Sequence, residues 1–272
     1  MPEQSQNRII SIEQLNDDIY RMTVESRYIA SNSKPGQFVN IKCGEGAQPL
    51  LRRPLSISGV DAENGCYELI FGVRGTGTGL LARKRPGDLL DVLGPLGNPF
   101  DLDAKYRRIA VVGGGLGIFP LLFLLNKSGA EVKKAYLGFR SASCVMLEEE
   151  FRRASDSLEI ATDDGSRGEK GFVTDLIIKD MNAGQYDMIY ICGPASMMRK
   201  IAEAANAKGI RCQVSMEERM GCGFGACLAC VCKTRRDGGG WQYSHVCKDG
   251  PVFNGSDIYD GRGTEVKSEG NS

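Results

Sequence analysis

Four cysteines in the last quarter of the chain, Cys222, Cys227, Cys230 and Cys247, follow the pattern C-x4-C-x2-C-x16-C. Thiolates at this spacing suit a plant-type [2Fe-2S] cluster, which takes four cysteine ligands. Between the first two lie Gly223, Phe224, Gly225 and Ala226. These residues are small overall, so backbone can wrap closely around a cluster and aim N–H groups at its sulfurs. Structural zinc is the competing use of four thiols, but zinc sites draw on two short knuckles and only one C-x2-C pair is present here. Cys232 lies two residues beyond Cys230 and could substitute for it as a ligand. His245, the single histidine, reads as structural beside a complete cysteine set. Cys43, Cys66, Cys144, Cys192 and Cys212 are scattered in or beside expected strands, where cysteine behaves as a small apolar residue.

Two further groups of residues could bind phosphate-bearing ligands. In the first third, Arg53-Pro54-Leu55-Ser56 opens an expected strand, and Gly75-Thr76-Gly77-Thr78 follows another as a turn. An arginine offers paired donors and a Gly/Thr turn offers backbone N–H groups, a combination suited to a dinucleotide pyrophosphate. Further on, Gly113-Gly114-Gly115-Leu116-Gly117 separates a strand from an apolar helix that has Pro120 in its first turn. Glycines between strand and helix let phosphate approach the helix N-terminus. Three later strands end in residues 138–141 (with Arg140), residues 162–166 (with Asp163 and Asp164) and Cys192-Gly193-Pro194. Ligands of open α/β sheets bind at such strand ends.

These groups need elements to position them. A chain of 272 residues exceeds one compact domain, so two folded units and a small appendage are expected. From residue 8 to about 93, short β-like runs (19–24, 37–41, 67–73 and 88–93) alternate with turns, predicting an antiparallel β-barrel. Residues 94–100 are rich in Gly and Pro and read as a domain connector. Five apolar strands then alternate with helices (108–112, 133–138, 158–161, 188–191 and 212–215), predicting an α/β parallel-sheet nucleotide-binding domain with helices on both faces. From residue 216 the chain is too short and polar to build its own core, so a metal centre is expected to organise it. The expected limits are 1–100 for the barrel, 101–215 for the α/β domain, 216–260 for the cluster segment and 261–272 for a disordered tail. No internal repeat is present.

Lysine plus arginine and aspartate plus glutamate each number 34. With no excess of positive charge, a nucleic acid or an anionic membrane is not an expected partner. No apolar run reaches the roughly 20 residues that span a bilayer, and the start lacks a signal-like apolar core. The expected location is the cytoplasm, where ten cysteines stay reduced and clustered ones serve redox or metal chemistry.

In their order along the chain, the three motif groups resemble the ferredoxin-NADP reductase superfamily. The C-terminal cysteines narrow the likeness to the electron-transfer subunit of dihydroorotate dehydrogenase B. The residues that carry it are 51–57, 113–117, 192–194 and 216–230, and the similarity spans residues 8 to about 259. The resemblance implies FAD held by Arg53, Pro54, Leu55 and Ser56, by the strand backbone at Ile70, Phe71 and Gly72, and by Gly77 and Thr78. It implies NAD at Gly113, Gly114, Gly115, Gly117, Cys192, Gly193 and Pro194, with Cys192 near the nicotinamide. It also implies a [2Fe-2S] cluster on Cys222, Cys227, Cys230 and Cys247, which leaves Cys232 a spare thiol.

The implied activity is NAD-dependent oxidation of dihydroorotate for pyrimidine (UMP) synthesis. The substrate site would lie on a separate FMN-containing subunit, in a heterotetramer of two copies each. The basic, Gly-rich stretch 233–240 departs from the family pattern. Two other readings stay open at the level of sequence: a reductase subunit serving a hydrogenase or sulfur reductase, and a zinc-stabilised module without catalysis. Arg140 leaves NADP open on physical grounds, because an arginine near the ribose suits a 2'-phosphate.

Overall fold

The computed structural model describes residues 2–44, 46, 48–183, 186–236 and 238–259. The tail at 261–272 lies outside the described residues.

Six strands close into an antiparallel barrel: β1 (Glu3–Asn16), β2 (Ile19–Glu25), β3 (Phe38–Lys42), β4 (Arg53–Asp61), β5 (Cys66–Gly72) and β6 (Leu89–Leu96), in the order β1-β2-β5-β4-β3-β6. Period-2 alternation sends Met22, Val24, Val39, Ile41, Ile57, Leu69, Phe71, Leu90 and Val92 inward to one core. Each such side chain contributes about 1.5–3 kcal/mol on burial. Register shifts on β1, β3 and β4 bend the strands enough to close the cylinder. Helix α1 (Arg27–Asn32) is capped by the Ser26 hydroxyl, which accepts from Ile29 N at 3.3 Å. Residues 75–78, expected as a turn, instead open helix α2 (Thr76–Ala82). Gly and Thr suit a helix start as well as a turn, and Leu80 and Leu81 give the segment an apolar side to pack on the barrel.

The second unit is built on β7 (Arg108–Gly114), β8 (Val132–Phe139), β9 (Ser157–Thr162), β10 (Glu169–Lys170), β11 (Met188–Cys192) and β12 (Cys212–Ser215). Helices α3 (Ile118–Lys127) and α4 (Glu148–Ala154) cover one face, and α5 (Val173–Ala183) and α6 (Ala195–Ala207) the other. The central strands β7 and β11 are apolar over most of their length because both faces are buried: Ile109 and Val111 pack under α3, Ala110 and Val112 under α5 and α6. Helix α3 is buried from Ile118 to Leu125, and its Phe123 enters the barrel core, so barrel and sheet are joined by packed side chains.

The C-terminal segment adds a hairpin of β13 (Val231–Arg235) and β14 (Trp241–His245), then β15 (Val252–Asn254) and α7 (Gly255–Ile258). Residues 233–236 and 238–240 are therefore part of a hairpin and not a free loop. Gly238, Gly239 and Gly240, all at positive φ, form its turn. Strand β15 pairs antiparallel with β12, so the sheet has seven strands in the order β10-β9-β8-β7-β11-β12-β15 and is not wholly parallel as expected from five. The expected connector at 94–100 is also more than a linker. Its first residues complete β6, and Asn98 clips the C-terminal segment by donating from N to Gly250 O (2.6 Å) and from Nδ2 to Asp249 O (2.7 Å).

Candidate redox site

The loop from Cys222 to Cys227 is wound so that backbone donors face sulfur. Cys222 Sγ accepts from Phe224 N (3.4 Å), Ala226 N (3.2 Å) and Cys227 N (3.4 Å), while Cys227 Sγ accepts from Cys222 N (3.3 Å). Burial pushes the Cys222 thiol up, but these donors outweigh it and bring it down to about 6, into thiolate territory. Cys230 and Cys247 form a second pair, with Cys247 N donating to Cys230 Sγ at 3.4 Å. Burial and the neighbouring Cys230 sulfur push the Cys247 thiol up to about 12. Two adjacent sulfurs cannot both ionise until a metal neutralises them. The chemistry of this donor set, four cysteine sulfurs in two neighbouring pairs, fits a two-iron cluster, which takes two thiolates per iron.

Cys230, Cys247 and Cys232 are buried with Val246, Phe38 and Leu96, at the seam between the segment and the barrel. Cys232 faces Ser244 across the hairpin, and burial pushes its thiol up to about 12. His245 lies beside Asp249: its backbone N donates to Asp249 Oδ2 at 2.7 Å, and its Nδ1 lies 3.6 Å from the same oxygen.

At the barrel, Arg53 and Gly77 are brought together: a Cβ on Gly77 would sit 2.7 Å from Arg53 Nε. The guanidinium donates to the Leu51 and Arg52 carbonyls at 2.8 and 3.2 Å and pairs with no acid among the described residues, so its charge is available to phosphate. Helix α2 begins at Gly75 with no side-chain cap, leaving first-turn N–H donors open. Thr78 Oγ1 is engaged within the chain, accepting from Arg74 N at 2.9 Å. Leu55 packs towards the barrel core, so Pro54 and Ser56 face outward. Asn40 Oδ1 is buried with no donor in the described chain, the kind of orphan a bound group can satisfy. Together these features fit a flavin dinucleotide.

At the carboxyl edge of the sheet, Gly113 and Gly114 are still extended strand, a correction to the expected turn, which begins at Gly115 (φ +54). Cys192 pairs with Gly113 across β11 and β7. Gly117 packs so tightly on the Cys192 carbonyl that a Cβ there would overlap it, and a Cβ on Gly114 would meet Met197 Sδ and Pro194 Cδ at 2.8 Å. The expected nucleotide residues thus form one contiguous floor. Burial pushes the Cys192 thiol up to about 12, so it is neutral. The neighbouring loops converge too, with Ala142 N donating to Ser166 Oγ at 2.7 Å. Asp164 is used locally, accepting from Ser166 Oγ (2.6 Å) and N (2.9 Å). Gly72, at the end of β5, lies against Leu116 of the glycine loop, where a Cβ would be 3.0 Å from Leu116 Cδ1.

Two residues of this region carry no signal in the sequence. Asn40 Nδ2 donates to the carbonyl of Cys222 at 2.8 Å, and Phe38 is buried in one cluster with Cys230 and Cys247. In β3 they alternate with Val39 and Ile41, and the fact that both are buried as well would have been the only clue that the outer face of the barrel is covered.

Comparison with known proteins agrees with this arrangement. Residues 217–259 match the family described as the iron-sulfur cluster binding domain of dihydroorotate dehydrogenase B, and residues 111–203 match the oxidoreductase NAD-binding domain. The chain is 44% identical over 244 residues to the dihydroorotate dehydrogenase B (NAD(+)) electron transfer subunit of Bacillus caldolyticus, covering 88% of this chain and 92% of the relative. It is 42% identical over 255 residues to the corresponding subunit of Bacillus cereus (strain B4264), covering 92% and 96%. Among solved structures, a chain from the NADH-dependent reduced ferredoxin-NADP oxidoreductase, studied for flavin-based electron bifurcation, superimposes with a TM-score of 0.82 at 32% identity, covering 95% of this chain and 91% of that one.

Proposed function

This chain belongs to the family of dihydroorotate dehydrogenase B electron-transfer subunits, and from that footing we propose that it carries electrons from a catalytic partner's flavin, through a [2Fe-2S] cluster and FAD, to NAD+ in pyrimidine synthesis. The observation that carries this reading is the meeting of three surfaces: Asn40 of the barrel bonds the cluster loop at Cys222, and Gly72 of the barrel touches the glycine loop at Leu116.

In this reading Cys222, Cys227, Cys230 and Cys247 hold the iron, and the N–H donors on Cys222 stabilise the charge on its sulfur. Arg53 neutralises the flavin pyrophosphate, with the open first turn of α2 assisting, while Pro54, Ser56 and the backbone at Leu55, Ile70, Phe71 and Gly72 line the ring. Gly113, Gly114, Gly115 and Gly117 let the nicotinamide nucleotide approach the N-terminus of α3, whose cap, Gly117, offers no side-chain acceptor. Cys192, Gly193 and Pro194 wall the nicotinamide end. A flavin supplies the exchange between hydride and single-electron chemistry. The chain's own task is to hold the groups apart from water and at fixed separation.

The partner is an FMN-containing catalytic subunit in a cytoplasmic heterotetramer of two copies each. Phe224 and Leu228, exposed beside ligand cysteines, belong to the contact. No helix of the described chain is long and apolar enough to cross a membrane. The test is the visible spectrum of anaerobically purified protein before and after NADH. Flavin bands over a broad iron-sulfur absorbance, both bleached by NADH, are expected. The double variant Cys227→Ser with Cys230→Ser should lose the iron absorbance and electron uptake from the partner but keep NADH-dependent dye reduction. Loss of dye reduction as well would overturn this division of labour.

A further inference from the structure

Strands β3 and β4 pair with Phe38 opposite Ser56 and Asn40 opposite Pro54. Because Val39 and Ile41 point into the barrel, these four side chains share its outer face. Directly opposed residues lie about 4.5–5.5 Å apart at Cβ. One strand of this pair bears the residues assigned above to the flavin, and the other bears the two that touch the cysteine segment. The pair is therefore a common wall between two redox groups.

On that wall Asn40 is fully buried, and its Nδ2 donates to the carbonyl of Cys222 at 2.8 Å. The loop is pressed onto it: Gly223 has φ +83, and a Cβ there would collide with Asn40 Nδ2. The Asn40 backbone is itself pinned, since Arg52 Nη1 donates to Asn40 O (3.3 Å) and Asp91 O (2.9 Å) while Arg52 Nη2 donates to Asp91 Oδ1 (2.8 Å). An amide at this place does more than fill space, because an apolar side chain of equal volume would leave the Cys222 carbonyl without its donor.

We infer that Asn40 is a positioning residue for electron exchange between the cluster and the flavin, fixing the Cys222 end of the cluster loop to the flavin-bearing strand pair. The hydrogen bond holds the first ligand at constant distance and orientation from β4, and its removal lets the loop relax outward. This deepens the function proposed above and rests on its cluster and flavin assignments.

The experiment compares wild type with Asn40→Leu, which keeps volume but has no donor, and Asn40→His, which keeps an N–H. Each is examined as the holo-complex by EPR-monitored redox titration and by stopped-flow mixing with NADH. In Asn40→Leu, a shifted EPR spectrum is expected, with about a fivefold change in the cluster's reduction equilibrium, roughly 40 mV for a one-electron couple. Flavin-to-cluster transfer should slow by at least as much, with the rate taken per bound flavin. Asn40→His should restore the spectrum towards wild type. If Asn40→Leu loses iron and Asn40→His keeps a native signal, the need for a donor is supported. If both lose iron, or both keep the wild-type spectrum, potential and transfer rate, the inference is overturned. Absence of any [2Fe-2S] signal in wild type would instead overturn the function on which it rests.

Discussion

Close approach of single residues decides what the nucleotide floor can tolerate. Gly117 lies on the Cys192 carbonyl with no room for a methyl group. Gly117→Ala is therefore expected to force β11 and the glycine loop apart, at about 1–3 kcal/mol of overpacking. Thermal melting should register that loss, and stopped-flow mixing should show NADH bleaching the flavin more slowly while flavin content is unchanged. The glycine run at 113–117 stood out in the sequence as the break between an apolar strand and an apolar helix, although the structure keeps Gly113 and Gly114 in the strand. Asn40 did not stand out, because its partner Cys222 lies 182 residues away and nothing in the local pattern of β3 names it.

Among the elements, α5 is fastened to the sheet by a polar staple. Asp180 Oδ2 accepts from Tyr136 Oη (2.7 Å), Lys134 Nζ (3.0 Å) and Tyr186 Oη, and the two tyrosine hydroxyls meet at 3.1 Å. Burial alone would raise the carboxyl of Asp180, but hydrogen bonds from Tyr186, Tyr136 and Lys134 outweigh it and hold the group below its ordinary value. Because the folded value is depressed, this stabilisation is complete above the unfolded carboxylate value near 3.9 and is lost as pH falls through the lower folded value. Asp180→Asn should lower stability at pH 7 by about 2 kcal/mol. It should also shrink the fall in melting temperature between pH 5 and pH 3, which melting curves of both proteins at the two pH values would reveal. The strands on either side of this staple were readable as apolar runs bounded by turns. Helix α2 was misread because Gly-Thr-Gly-Thr serves a turn and a helix start alike. Strand β15 escaped notice because three residues have no periodicity, and only pairing with β12 makes them a strand.

At the scale of the whole molecule, the cysteine segment presents apolar surface, on which the proposed function seats the catalytic partner. Phe224 is 54% exposed and Leu228 60%, the first two residues from Cys222 and the second beside Cys227. Leu228 is held at φ 58, a conformation that a leucine rarely adopts. Phe224→Asp combined with Leu228→Asp should weaken binding of the catalytic partner about tenfold or more, equivalent to about 1.4 kcal/mol. Surface plasmon resonance with immobilised partner would measure this, and dye reduction by NADH should be unaffected. The order barrel, sheet, cluster segment could be anticipated from the changing rhythm of the chain. The way the last segment clips to Asn98 and completes the sheet could not, because both contacts join residues that are far apart in sequence.

Strand β15 also changes what the molecule offers to its neighbours in a crowded solution. The barrel is closed, and the seven-stranded sheet ends in β10, two residues long, and β15, three residues long. Unpaired strand edges are templates for aggregation, and very short ones are poor templates. By pairing with β12 at Gln213, Val214 and Ser215, the same segment that carries the cysteine cluster covers the outer edge of that strand, so the sheet ends on that side in a three-residue strand and offers a neighbouring chain little to pair with there.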